Sequence, residues 1–381
     1  MTYWDYNATA PVRPEVASLL ARAFSQAGFG NASSVHQEGR AARARLDAAR
    51  AKVARVLGCE PKEVSFTGSG SEANALALVG AWHERPHPER RRIVTSAIEH
   101  PALLATAAQL EQAGAQVVRL TPAEDGRVRE SDVLEALTPD TALCSLLWAN
   151  NETGVLQPAR EVARACRERG VLFHTDAVQA AGKVPTTLRE VDADLLSLSA
   201  HKFGGPPGVG VLVVRKGVDV RPLTPGHQEG GRRGGTQNVP YAEALALALE
   251  LAVAELPETS ARVGALRDTF EREVLSALPG VHVNGGGAPR VPNTSNLRFD
   301  AVEGEALLIA LDLAGICVSS GAACASGTLT PSHVLRAMGL SAAEARGSLR
   351  FSLGPATTEA DVERVVSALR QHVPAVRALA G

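Results

Sequence analysis

The strongest constraint on the fold is an alternation. Over the first two-thirds of the chain, seven short apolar runs are separated by longer amphipathic stretches. The runs span 64–67, 92–96, 116–120, 142–148, 171–175, 194–199 and 208–214. Several are apolar almost throughout, as strands covered on both faces must be. Helical periodicity fills gaps at about 71–83, 101–113, 130–137 and 158–169. Alternating strands and helices predict an α/β unit with a mostly parallel sheet.

After about residue 238 the pattern changes. Helices are expected over 240–256 and 258–278, separated by Pro257, then over 303–313, 331–338 and 358–371. Strands are expected at 281–284, 294–299, 316–319 and 348–353. This reads as a smaller α+β unit. The first dozen residues fit either unit by pattern. The expected division is a large domain over 14–250 and a small domain made of 1–13 and 251–381.

Composition narrows the function classes. The 381 residues are 45% hydrophobic and 21% charged, which supports a large core and excludes dominant disorder. A formal net charge of −2 argues against a dedicated nucleic-acid binder. No run of about 18 apolar residues is free of charge or proline, so no membrane span is expected. No signal peptide is visible at the N-terminus. Cysteines stand at 59, 144, 166, 317 and 324, with no CxxC pair, which fits a reducing cytoplasm better than a disulfide framework.

In a sheet of this kind ligands bind beyond the carboxyl ends of the strands, so the segments after each run hold the candidate chemistry. Gly68-Ser69-Gly70-Ser71-Glu72 follows the first run and opens a helix. Such a turn serves as an N-cap or as an anion cradle of free N–H groups. Glu99-His100-Pro101 places a histidine at a strand-to-helix junction, where it either caps the helix or lies against a planar ligand. Asn150-Asn151-Glu152-Thr153-Gly154 builds a turn, and Asn151 can also donate to a carboxylate. Asp176 ends a buried run and needs a cationic or N–H partner, with Gln179 one helical turn on. Lys202 lies between a strand and the Gly/Pro-rich segment 204–208. A partly desolvated lysine has a lowered pKa and can form a Schiff base. Together, an amine, a strand-end carboxylate, an anion cradle and a flanking histidine are what pyridoxal phosphate requires.

With these motifs in order, the sequence resembles the cysteine desulfurases of the class V aminotransferase superfamily, fold-type I pyridoxal-phosphate enzymes. The resemblance runs from Asp5-Tyr6-Asn7-Ala8-Thr9 through the segments above to Ser199-Ala200-His201-Lys202, Arg233-Gly234-Gly235-Thr236, the segment 319–326 around Cys324, and Arg350-Phe351-Ser352. It implies a large domain with a mostly parallel seven-stranded sheet and a smaller α+β C-terminal domain carrying the Cys324 loop. It implies that Lys202 carries pyridoxal 5′-phosphate and that Asp176 pairs with the ring nitrogen. Gln179 would bond the phenolic oxygen, and His100 would stack on the ring. Gly70, Ser71, Ser199 and His201 would hold the phosphate, with Thr236 reaching the site of a neighbouring subunit in a homodimer. Asn151 and Arg350 would bind the substrate carboxylate, and Cys324 would take the sulfur of L-cysteine as a persulfide, leaving L-alanine. A sulfur acceptor, such as an iron–sulfur scaffold or a carrier, would follow; no membrane and no direct nucleic-acid partner are expected.

Ser71 stands where that family often has threonine, and Gly234-Gly235 where it often has Ser-Gly. The hydroxyls of Ser71 and Thr236 are kept. The Cys324 segment is similar to the IscS/NifS group, although Ala325 and Gly327 differ from the commoner residues there. A selenocysteine lyase or an aminotransferase of the same fold is the alternative activity; a non-enzymatic scaffold is disfavoured by the presence of both Lys202 and Cys324. The other four cysteines read as packing residues.

Overall fold

A computed structural model describes residues 1–25, 30–85, 87–320 and 330–380. Cys324 lies outside the described residues. The seven apolar runs form one sheet. Its strands, in spatial order, are Val64–Thr67, Gly210–Val214, Leu195–Ser199, Leu172–Asp176, Thr141–Ser145, Arg92–Ser96 and Gln116–Leu120. All neighbours pair in parallel except Gly210–Val214, which runs antiparallel to both of its neighbours. Helices cover both faces, and six of the strands are buried at every residue or all but one, which explains their unbroken apolar character.

Two long helices, Pro14–Ser25 and Gln37–Leu57, precede the sheet. The second buries Ala42, Leu46, Ala49, Val53 and Leu57 along one face. It packs along Val239–Ala254 and is tied to it by Arg45–Glu243 and by Lys52 and Arg55 on Glu250.

The last third has its own core. Thr294–Phe299 is the centre of an antiparallel sheet between Ser348–Ser352 and Val281–Val283. Trp4 packs edge-on against Phe270 and Phe351, so the N-terminal segment joins this core. Thr2–Tyr3 pairs in parallel with Ile316–Cys317. Two sequence expectations need correction. Pro257 does not separate two helices; it sits in the first turn of Leu256–Ala277, where its missing N–H has no partner to lose. The last helix runs from Glu359 to Ala380, through Pro374, held by Leu369, Val373 and Val376 in the core.

Candidate active site

Strand ends deliver the chemistry. Asp176 and Ser199 are the last residues of their strands, and Lys202 closes the short 3-10 turn Ala200–Lys202 that follows. Ser69 caps the helix that opens at Gly70, its Oγ accepting from Glu72 N at 3.0 Å. That helical run continues to Glu84 through a π turn over Leu76–Gly80. His100 caps the helix Pro101–Gln112, with Nδ1 accepting from Ala102 N at 3.1 Å, so its proton is assigned to Nε2.

These elements converge on a cavity of about 460 Å³. Gly70, Ser71, His100, Asn151, Asp176, Gln179, Ser199, His201, Lys202 and Arg350 all line it. Thr236 is exposed and does not line this cavity. Asn7, Glu152 and His333 line it as well and were not singled out by sequence.

Each group is held. Asp176 accepts from Asn74 Nδ2 at 2.6 Å and from Val178 N at 2.9 Å. Lys202 Nζ donates to the carbonyl oxygens of Asn7 and Ala8, both at 2.7 Å. Burial and the Arg350 guanidinium pull the Lys202 amine down to about 8, against opposing pulls from Asp176 and Asp5. Desolvation also lowers His100 and brings His201 to about 4, so His201 is neutral at physiological pH. Arg350 Nη2 donates to Asp5 Oδ1 at 2.7 Å and Nη1 to Asn151 O at 3.0 Å, while its buried Nε has no partner among the described residues. Arg350 thus makes a structural ion pair and still borders the cavity.

Two buried carboxyls flank the site. Burial pushes Glu152 up to about 7, and its Oε2 accepts from Ser332 Oγ. Glu99 is pushed up to about 8 and accepts from Ser96 Oγ at 2.7 Å and Leu147 N at 3.0 Å. His333 Nε2 donates to the Glu99 carbonyl at 2.9 Å, which leaves Nδ1 unprotonated in the neutral ring. The four described cysteines are free thiols, two of them fully buried; burial drives Cys59 up to about 12, an unreactive thiol.

An amine of lowered pKa, a hydrogen-bonded carboxylate, a helix N-terminus and an arginine in one cavity can hold an anionic, carbonyl-bearing ring beside a carboxylate substrate. The family profile described as Aminotransferase class-V matches residues 2–365, and the chain belongs to that family. A "Cysteine desulfurase" of Cereibacter sphaeroides is 47% identical over 380 residues, covering 99% of this chain and 97% of the relative. Among solved structures, a "NifS-like protein" superposes with a TM-score of 0.90 at 35% identity, covering 98% of this chain and 99% of that one. A structure titled "SspA in complex with cysteine" superposes with a TM-score of 0.82 at 34% identity, covering 94% and 100%.

Proposed function

We propose that the chain is a pyridoxal-phosphate-dependent cysteine desulfurase, converting L-cysteine to L-alanine and passing the sulfur to Cys324 as a persulfide. The observation that supports this most is the meeting of ten of the expected site residues in one cavity. The residues suit the cofactor. A Cβ on Gly70 would lie 3.0 Å from both Ser199 Cβ and Val178 Cγ2, so glycine keeps the floor of the cradle clear. Lys202 would hold the cofactor covalently, and Asp176 would face its ring nitrogen. Gln179 would face the phenolic oxygen and His100 the ring. Gly70, Ser71, Ser199 and His201 would hold the phosphate. When bound, the cofactor supplies an electron-accepting ring for the charge left at the substrate Cα.

The chain supplies the rest. Arg350 and Asn151 hold the substrate carboxylate, the arginine through a charged fork. Lys202, with its amine near 8, has a neutral fraction at physiological pH and takes the Cα proton. The substrate amine takes the thiol proton, because neutral His100 already carries its proton on Nε2 and commits Nδ1 to Ala102 N. Cys324 attacks the substrate sulfur: a sulfur–sulfur bond forms, the carbon–sulfur bond breaks, and the carbon takes up the hydrogen that makes alanine. The net exchange is L-cysteine and a thiol in, L-alanine and a persulfide out.

A second copy of the chain belongs to the working unit, because the exposed Thr236 fits a role at a neighbour's site. Residues 14–250 act as the large domain, and 1–13 with 251–381 as the small one, a division supported by the separate core around Trp4, Phe270 and Phe351. No helix among the described residues is long and apolar enough to cross a membrane. The persulfide passes to an acceptor protein, an iron–sulfur scaffold or a sulfur carrier. The test is a visible cofactor band in the purified protein that is absent in Lys202→Ala. A band that survives the substitution would contradict the assignment.

A further inference from the structure

Beneath Lys202 lies a closed polar network of three buried side chains. Lys183 is 8% exposed, Gln179 6% and Asn7 1%. Lys183 Nζ donates to Asn7 Oδ1 at 2.9 Å and to Gln179 Oε1. Both amides turn their oxygens toward Lys183 and their NH2 groups toward backbone carbonyls, which only accept. Gln179 Nε2 then donates to the Asn7 carbonyl at 3.0 Å, the same oxygen that accepts from Lys202 at 2.7 Å. Asn7 Nδ2 then donates to the Asn151 carbonyl at 3.1 Å and to Thr294 Oγ1 at 2.8 Å. Asn293 Nδ2 fills the remaining acceptor site of Asn7 Oδ1 at 3.1 Å. The two backbone carbonyls set the amide orientations and Lys183 satisfies the inward oxygens; without it Gln179 Oε1 loses its donor and Asn7 Oδ1 keeps only Asn293, so both side chains are released to shift.

We propose that Lys183 is a positioning residue that locks the amides of Gln179 and Asn7, one presenting its NH2 group beside Lys202 and the other to Asn151. This rests on the reading of Lys202 as the cofactor lysine. The charged groups that act on Lys183 are Lys202 and Arg350, and with burial they hold its amine well below the usual lysine range. Asp176 and Asp5 are the anions that act on Lys202. Arg350 is paired with Asp5. Removing Lys183 deletes a cation or a polar donor beside Lys202 and leaves Gln179 Oε1 buried without its donor, so the Gln179 NH2 group is no longer held in one place beside Lys202. Both effects favour the protonated form of the lysine–cofactor linkage.

The test uses Lys183→Met in the cofactor-loaded enzyme. The pH midpoint of the visible cofactor band is expected to rise by about one unit. KM for L-cysteine is expected to rise about tenfold through the loosened Asn151. Gln179→Leu should reproduce the midpoint shift, and adding Lys183→Met to it should shift the midpoint less than on its own. Should Lys183→Met fail to fold, Lys183→Gln carries the test: its amide both donates and accepts, so the midpoint should still rise. A folded variant that keeps the parent midpoint and KM, whatever its melting temperature, overturns the proposal. A parent band that survives Lys202→Ala overturns instead the reading beneath it.

Discussion

Lys202 is expected to lower the stability of the cofactor-free protein that it serves. Its amine sits near 8 in the fold against an ordinary 10.5. The unfolded chain therefore binds a proton that the fold disfavours. The penalty is complete below about pH 8 and disappears as the pH rises past about 10.5, where both states are neutral. Taken at face value, the shift costs about 3 kcal/mol at pH 7. Lys202→Met removes that cost but also deletes the bonds to the Asn7 and Ala8 carbonyls. The Asn7 oxygen keeps its Gln179 donor, so the loss is about 1 kcal/mol. The net expectation is a variant about 2 kcal/mol more stable at pH 7 and no more stable than the parent at about pH 10.5. Urea unfolding of both cofactor-free proteins, followed by far-ultraviolet circular dichroism at the two pH values, measures it. A variant less stable at pH 7, or a difference independent of pH, would refute the argument that burial holds this amine ready for chemistry.

Three further substitutions follow from the same geometry. Arg350→Gln removes the fork facing the substrate carboxylate and leaves Asp5 without its ion pair; KM for L-cysteine should rise about 10- to 100-fold, read by steady-state kinetics. Gly70→Ala puts a methyl group 3.0 Å from Ser199 Cβ and Val178 Cγ2; cofactor affinity should fall about tenfold in a fluorescence titration, with the fold retained. Glu152→Gln removes a carboxyl that burial pushes up to about 7. A raised acid destabilises the fold progressively as the pH climbs from its unfolded pKa of 4.5 to its folded pKa of about 7 and fully above that, so the variant should gain about 2 kcal/mol at about pH 8 and nothing at about pH 4, measured by urea unfolding.

Much of the large sheet could be read in the sequence because its strands are buried on both faces. Val64–Thr67, Arg92–Ser96 and Gln116–Leu120 stand at the bounds the apolar runs predict. The helix Gln37–Leu57 escaped notice because alanine stands on both faces, with Ala42, Ala49 and Ala54 buried and Ala41, Ala44, Ala48 and Ala51 exposed, which leaves little hydrophobic contrast. Ten of the twelve expected site residues share one cavity: nine stand at or after the strand ends of the large sheet, which the topology brings together, and Arg350 comes from within Ser348–Ser352 of the small sheet. Lys183 was one lysine among five in the sequence. Its burial depends on Asn7, 176 residues away, and no local pattern signals that contact. His333 and Glu152 escaped for the same reason: Ser332 and the Glu99 carbonyl fix them across the fold.

The central claim is that one thiol takes the sulfur while the cavity handles the amino acid. Its most direct test is to give the purified, cofactor-loaded protein L-cysteine with a reductant and to measure sulfide and alanine in the same samples, beside Cys324→Ala. The account predicts sulfide and alanine in equal amounts from the parent, and neither from the variant although its cofactor band is intact. Sulfide and alanine from the variant at the parent rate, or alanine without sulfide from the parent, would contradict it.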